Sequence, residues 1–252
     1  MSAPVSGEPR TIVTIDVGNT STKLGVFEGE RLVQSVAGTG LGAEALEALL
    51  DYSNPDGFAY CCVGADTGGL RECAEATGLP FVAVEAATPV PLEIEYGSPA
   101  TLGSDRIAAA AGSVGEGGSA FVVDAGTAVT ADLIVGGRFI GGNISPGLGL
   151  RFRSLAEHTS RLPLVGAEGE LPEFGTDTDT AIRSGIVRGL IAELKNGFET
   201  AKKYDSNIRM VLTGGDAAII APLLESCAVE AEVVPDAVGI GMVRIFNFNY
   251  PI

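Results

Sequence analysis

Two stretches of this chain repeat one another. The β-branched run Thr11-Ile-Val-Thr-Ile15 ends in Asp16, and Val-Gly-Asn-Thr-Ser-Thr-Lys follows to Lys23. Ala120-Phe-Val-Val123 likewise ends in Asp124, and Ala-Gly-Thr-Ala-Val-Thr follows to Thr130. Laid over one another without gaps at an offset of 108 residues, Asp16 meets Asp124, Gly18 meets Gly126, Thr22 meets Thr130, Val26 meets Ile134 and Gly29 meets Gly137. Each acid turn is followed by an apolar strand, a glycine turn and a further strand, at 23–27 and 31–36 in one copy and at 131–135 and 138–140 in the other. Similarity at this scale predicts an internal duplication of a whole folding unit. Chance likeness of two glycine-turn hairpins is the alternative.

Around the two copies, strands alternate with helices. A helix is predicted over 43–51, a strand over 58–63, a helix to about 77 and a strand over 81–84. The Pro-rich connector Thr88-Pro-Val-Pro91 leads to a helix opening near Ser104, and Ser113-Val-Gly-Glu-Gly-Gly-Ser119 is a flexible break. In the second half, Asp/Thr capping chemistry opens a long helix over 178–203. A strand then runs into Leu212-Thr-Gly-Gly-Asp-Ala217, and helix 217–226, strand 229–234 and helix 237–246 follow. This alternation predicts an α/β protein. A length of 252 residues suits one to two domains. The expected layout is a disordered lead at 1–10, an N-terminal domain at 11–113 and a C-terminal domain at 119–252.

Composition narrows the partners. A hydrophobic content of 46% supplies a sizeable core, yet no apolar run approaches the ~20 residues of a membrane span. Residues 1–10 lack the apolar stretch of a signal peptide. The four cysteines, Cys61, Cys62, Cys73 and Cys227, form no CxxC pair, and His158 is the only histidine, read as structural or as a surface residue. Reduced, buried cysteines and a cytoplasmic location follow. A formal net charge of −16 repels nucleic acid and anionic membrane. An anionic substrate would need local positive fields, for which Lys23, Arg106 and backbone N–H groups are the candidates.

The acid turns carry the chemistry. A carboxylate closing an apolar strand cannot be buried without donors, a metal or a ligand. Gly18 lets the backbone approach a ligand. Asn19, Thr20, Ser21 and Thr22 offer hydroxyl and amide groups suited to phosphate oxygens and to the water shell of Mg²⁺. Lys23 adds a point charge. An Asx-turn at a hairpin would use the same residues. Two such turns predict a cleft between related domains, with the Leu212–Ala217 turn for a nucleoside. Ser104-Asp-Arg106 reads as the start of a helix, where anions are favoured. A helix-start acid beside a solvated base is the plainer reading of Asp105 and Arg106.

In this order, Asp16-Val-Gly-Asn-Thr-Ser-Thr-Lys23, Thr101-Leu-Gly-Ser-Asp-Arg106, Asp124-Ala-Gly-Thr127, Gly141-Gly-Asn-Ile-Ser-Pro-Gly147, Thr159-Ser-Arg-Leu-Pro163 and Gly175-Thr-Asp-Thr178 resemble the type III pantothenate kinases. These belong to the superfamily of acetate and sugar kinases, Hsp70 and actin. The resemblance covers nearly the whole chain after residue 10. It implies two duplicated ribonuclease H-like (actin-like ATPase) domains with a central cleft. It implies transfer of the γ-phosphoryl group of ATP to the terminal hydroxyl of pantothenate, the first step of coenzyme A synthesis. Asp16, Gly18, Asn19, Thr20 and Lys23 would hold the ATP phosphates and Mg²⁺, with Asp16 acting on the metal indirectly. Thr127 would contact ATP, and Asp124 would bind a monovalent cation, K⁺ or NH₄⁺. Gly103, Ser104, Asp105 and Arg106 would contact pantothenate, with Asp105 the proton acceptor. Tyr96 would line the same pocket or simply pack. Thr178, or its neighbours Thr176 and Thr180, would reach the substrate of the other subunit in a homodimer.

Elementary chemistry agrees with these roles. Phosphoryl transfer has a loose transition state, so Asp105 would orient the hydroxyl and take its proton late. Arg106 would pair with the substrate carboxylate through its planar fork. Ala181, Ile182, Gly185, Ile186, Gly189, Leu190 and Leu194 fall at helical spacing on one predicted face. That face serves either packing within its own domain or the homodimer. Two other functions compete: a non-catalytic nucleotide-binding regulator, and a phosphatase or kinase of the same fold with another acceptor. Retention of Asp16, Lys23, Asp105, Arg106 and Asp124 argues against the regulator.

Overall fold

The computed structural model describes residues 9–251. Residues 1–8 of the expected lead lie outside the described residues. Arg10 is anchored, its guanidinium donating to Asn247 Oδ1 at 3.3 Å and to the carbonyl of Tyr250. The chain divides into two compact units. One comprises the described residues up to Pro91, Ser98–Gly112 and the segment from Asp236; the other comprises Leu92–Gly97 and Ser113–Pro235.

In the first unit, β1 (Thr11–Val17), β2 (Thr22–Glu28) and β3 (Arg31–Gly38) form an antiparallel meander. β4 (Gly57–Cys62) and β5 (Phe81–Ala83) extend it in parallel, giving the order β3-β2-β1-β4-β5. Strand alternation sorts the faces. Val13, Ile15, Val17, Leu24 and Val26 are buried with Leu46 and Leu49 of α1 (Ala43–Leu50) and Leu70 of α2 (Leu70–Ala76). The opposite parity, Ile12, Thr14 and Asp16, belongs to the other face of the sheet. There Phe27 lies beneath Gly239 of α7 (Ala237–Asn249), which packs on β1, β4 and β5. α7 also runs against α3 (Ser104–Ser113), with Gly112 and Gly241 at the closest approach.

The second unit has the same plan. β7 (Ala120–Ala125), β8 (Ala128–Val135) and β9 (Arg138–Pro146) form the meander; β10 (Arg209–Thr213) and β11 (Ala231–Val233) extend it in parallel. A two-residue edge strand, β6 (Glu93–Ile94), completes the order β11-β10-β7-β8-β9-β6. Phe121, Val123, Ala125 and Val129 are buried with side chains of α4 (Leu148–His158), α5 (Thr178–Ala201) and α6 (Ala217–Ser226).

The duplication is therefore present in the topology, but its register differs from the gapless alignment. Asp16 pairs across its hairpin with Lys23, and Asp124 with Thr130. The second acid turn is one residue shorter, so Lys23, not Thr22, corresponds to Thr130. The slip persists: Val26 corresponds to Leu133, and Gly29 to Gly136, with φ of 58° and 59°. Only this register places the bulges, between Val26 and Phe27 and between Leu133 and Ile134, at matching positions.

Tertiary contacts also draw the units differently from 11–113 and 119–252. Residues 92–97 join the second sheet through Glu93 N–H to the Gly137 carbonyl and Glu95 N–H to the Phe139 carbonyl, both at 3.0 Å. α7 returns to the first unit because its apolar side, including Met242, Val243 and Phe246, is buried there. Two other elements depart from expectation. β9 continues to Pro146, so Gly141-Gly142 lies within a strand. α5 ends at Ala201, and Asp177 caps it in a reciprocal box with Thr180.

Candidate active site

In the first unit the Asp16 turn and the start of α3 meet at one end of the sheet. Asp16 is the penultimate residue of β1, and its parallel neighbour is Cys61. Gly18 N–H donates to the Ser21 carbonyl at 3.0 Å, closing a turn that leaves Asn19 and Thr20 exposed. Cys61 is fully buried, and its Sγ donates to Ser104 Oγ at 3.1 Å. Ser104 Oγ in turn donates to the Cys62 carbonyl at 3.3 Å. The Cys61 thiol is pushed well up by burial, then by the neighbouring Asp16 carboxylate, with Asp105 adding to the effect. Both carboxylates therefore act on one buried thiol. Ser104 and Arg106 are buried, and Asp105 Oδ1 accepts the N–H of Arg106 at 2.8 Å. A Cβ at Gly103 would overlap the Asp105 carboxylate, so glycine there makes room for it.

Lys23 is partly claimed. Its Nζ lies 2.5 Å from Asp236 Oδ1, the residue that precedes α7. The side chains are 42% and 26% exposed, so the pair is partly solvated and modest in strength.

In the second unit three segments converge on Asp124. Gly214, at φ +91°, packs so closely that a Cβ would overlap both Asp124 Oδ1 and the Ala125 carbonyl oxygen. Asp216 N–H donates to the Ala125 carbonyl at 2.9 Å. Burial raises the Asp216 carboxyl, opposed by the N–H of Leu148 at the start of α4. Gly147 N–H donates to the Thr127 carbonyl at 3.0 Å, and Thr127 is exposed at the turn. Tyr96 stacks edge-on against Phe139, with centroids 6.0 Å apart.

The long helix answers one choice and corrects another. Thr180 is buried, and its Oγ1 accepts the N–H groups of Thr176 and Asp177 at 3.1 and 3.3 Å. Thr180 thus belongs to the cap, whereas Thr176 and Thr178 are exposed. The predicted face is divided. Ile182, Ile186, Leu190 and Leu194 are buried in their own unit, while Ala181, Gly185 and Gly189 are exposed. Nothing lies within 4 Å of a Cβ built at Gly185 or Gly189.

Sequence reasoning missed Cys61, Asp236 and Asp216 as neighbours of the site. Only the TGGD turn carried a signal, and it pointed to Asp216 without a role.

A family model described as type III pantothenate kinase matches residues 12–199. A type III pantothenate kinase of Phocaeicola vulgatus is 38% identical over 207 residues, 80% of this chain and 85% of that protein. Among solved structures, a Campylobacter jejuni protein described as a Baf family transcriptional activator aligns with a TM-score of 0.64 at 23% identity, over 95% of this chain and all of that one. A ROK hexokinase of Thermus thermophilus aligns with a TM-score of 0.53 at 16% identity, over 95% and 99% of the two chains. These structures share the fold, that of the ribonuclease H-like, actin-like ATPases. With its duplicated sheets, acid turns and family match spanning most of its length, this chain belongs to the type III pantothenate kinase family.

Proposed function

We propose that this chain transfers the γ-phosphoryl group of ATP to the terminal hydroxyl of pantothenate, giving 4′-phosphopantothenate. One observation supports this most directly. The Asp16 turn and Gly103–Arg106, far apart in sequence, share one end of one sheet through Cys61 and Ser104. A phosphate site and a proton acceptor must be neighbours for this reaction. Asp16, Gly18, Asn19, Thr20 and Lys23 hold the phosphates, and Thr127 contributes from the second acid turn. Gly103, Ser104 and Arg106 hold pantothenate, Arg106 pairing with its carboxylate. Asp105 keeps one oxygen on the helix N–H and orients the acceptor hydroxyl with the other, taking its proton late. Tyr96 lines the pantothenate pocket, and Thr178 reaches it from the second subunit of a homodimer. No observation favours the regulator reading.

Among the described residues, no group of three or more His, Cys, Asp or Glu side chains is arranged to hold a metal. The Asp16 turn offers one carboxylate beside hydroxyls, which fits Mg²⁺ that keeps its waters and binds mainly through phosphates. Bound there, Mg²⁺ neutralises charge on the phosphate oxygens. In the second unit the Asp124 carboxylate is the ligand we assign to K⁺ or NH₄⁺, a hard cation that takes oxygen donors. Among the described residues no helix is long and apolar enough to cross a membrane.

ADP release from purified protein, ATP and Mg²⁺ should depend on pantothenate and not on acetate or hexoses. Asp105→Asn should keep the ATP dissociation constant and lower kcat by roughly 100-fold or more. Equal turnover with other acceptors would overturn the substrate assignment, and near-wild-type turnover in the variant would remove Asp105 from its role.

A further inference from the structure

Asp16 and Cys61 are register neighbours on the parallel strands β1 and β4. Ile15 and Tyr60 belong to the core shared with α1 and α2, so strand alternation turns Asp16 and Cys61 to the opposite face of the sheet. There Cys61 is fully buried, and its Sγ donates to Ser104 Oγ at 3.1 Å. Ser104 Oγ donates on to the carbonyl of Cys62 at 3.3 Å. Ser104 opens α3, so this short chain of bonds ties the start of the helix to the strand beside Asp16. Asp105 has little freedom of its own. Its Oδ1 accepts the N–H of Arg106 at 2.8 Å, and a Cβ at Gly103 would lie 2.4 Å from the same oxygen. With the carboxylate locked onto its own segment, its distance from the Asp16 turn is set by where that segment sits.

We propose that Cys61 is a positioning residue for phosphoryl transfer: its thiol, acting through Ser104, fixes where the Asp105 carboxylate stands relative to the Asp16 turn. The inference rests on the reading of Asp105 as proton acceptor given above. Cys61 itself does no chemistry. Burial, and then the nearby Asp16 carboxylate, push its thiol well up. At neutral pH it therefore stays protonated, a donor to Ser104 and not a nucleophile. A hydrogen bond away from water is stronger than the same bond in solution, so a weak thiol donor suffices. Displacing a reacting group by about 1 Å can cost roughly 100-fold in rate, which gives one buried bond leverage on turnover. Replacing the thiol by a methyl group takes the donor from Ser104 and leaves a small void beside β4, and both let the helix start shift.

The test is Cys61→Ala beside Cys61→Ser, which keeps a donor in the same place. Turnover, KM for pantothenate, the ATP dissociation constant and melting temperature would be measured for both. Cys61→Ala should lower kcat at saturating pantothenate by roughly 10- to 100-fold and leave the ATP dissociation constant within about twofold of wild type. Cys61→Ser should recover most of the lost kcat. A purely structural thiol would lower the melting temperature and spare kcat, so near-wild-type kcat in folded Cys61→Ala overturns the inference. A loss confined to KM, which marks substrate binding and not alignment, also overturns it. So does a Cys61→Ser variant as slow as Cys61→Ala. Should Cys61→Ala fail to fold, Cys61→Val, which fills the site without a donor, is read in the same way. Asp105→Asn separates the two readings. Near-wild-type turnover there defeats the role of Asp105 itself, whereas a slow Asp105→Asn beside a fast Cys61→Ala defeats this inference alone.

Discussion

Replacing Gly241 by alanine tests the packing that positions α3. A Cβ at Gly241 would overlap the Ala108 carbonyl oxygen, lie 2.6 Å from its carbon and 2.8 Å from Gly112 N. All three are backbone atoms, so no side chain can swing aside. The Ala108 oxygen would lie 1.8 Å from that Cβ, so restoring ordinary contact at 3.4 Å requires α7 and α3 to part by up to about 1.6 Å, which opens the buried layer over β1 and β4. Overpacking of this kind costs up to about 3 kcal/mol, and the helix-propensity gain from Gly to Ala returns about 1. The net loss is about 2 kcal/mol, a fall in melting temperature of roughly 4–8 °C for a chain of this size. α3 begins with Ser104, Asp105 and Arg106, so KM for pantothenate should rise while ATP binding changes little. The control is Gly189→Ala on α5, where a Cβ meets nothing within 4 Å. That change keeps the propensity gain and should raise the melting temperature by roughly 2–4 °C. Circular dichroism melts of the two variants decide the matter. Gly241→Ala melting at or above wild type would refute the argument.

Two further outcomes are expected. Glu30 is held below its ordinary 4.5 by hydrogen bonds from Arg244 at 2.7 and 2.8 Å, despite some opposing burial. A lowered carboxyl stabilises the fold above its unfolded value and loses that contribution as pH falls through the folded one. Glu30→Gln should therefore melt slightly lower than wild type at pH 7 and converge with it as the pH falls through the lowered folded-state value; parallel melting curves would exclude the linkage. Gly185→Arg, on the exposed side of α5, should give a monomer with an intact fold and weakened pantothenate binding. Light scattering that shows a dimer of the variant would remove this helix from the interface.

The repeated strand, acid turn and hairpin were legible because each signal is local: β-branched runs, one carboxylate, one glycine turn. Register was not legible to the residue. The doublet Gly136-Gly137 offers two partners for Gly29, and a gapless alignment takes the second. Strand pairing takes the first; backbone conformation does not separate them, because both glycines of the doublet have positive φ. The two-residue strand β6 has no periodicity to read. The return of α7 to the first unit depends on Phe27 and β4 accepting it, and no local pattern encodes that. On α5, spacing identified a stripe but not which edge of it is covered. Ile182 and Gly185 are a helical turn apart, yet one is buried and the other exposed.

Site residues divide in the same way. Asp16 and Asp124 could be found because a charge that closes an apolar strand stands out against its neighbours. Cys61 and Asp236 could not, because each reaches the site through a partner distant in sequence, Ser104 or Lys23. The duplication supplies what single motifs lack. Once the register is corrected, each unit becomes a reference for the other. Asp16 and Asp124 match, and so do the bulges and the positive-φ glycines. Against that constant background Lys23 stands where Thr130 does, and Cys61, bonded to Ser104, stands where Thr213 does. Shared positions maintain the sheet and its turn. The unlike positions flank the acids, and there the two halves have acquired different chemistry. The first carries a lysine ion-paired with Asp236 and a thiol bonded to Ser104 of α3; the second carries the hydroxyls of Thr130 and Thr213. An alignment shifted by one residue hides both contrasts.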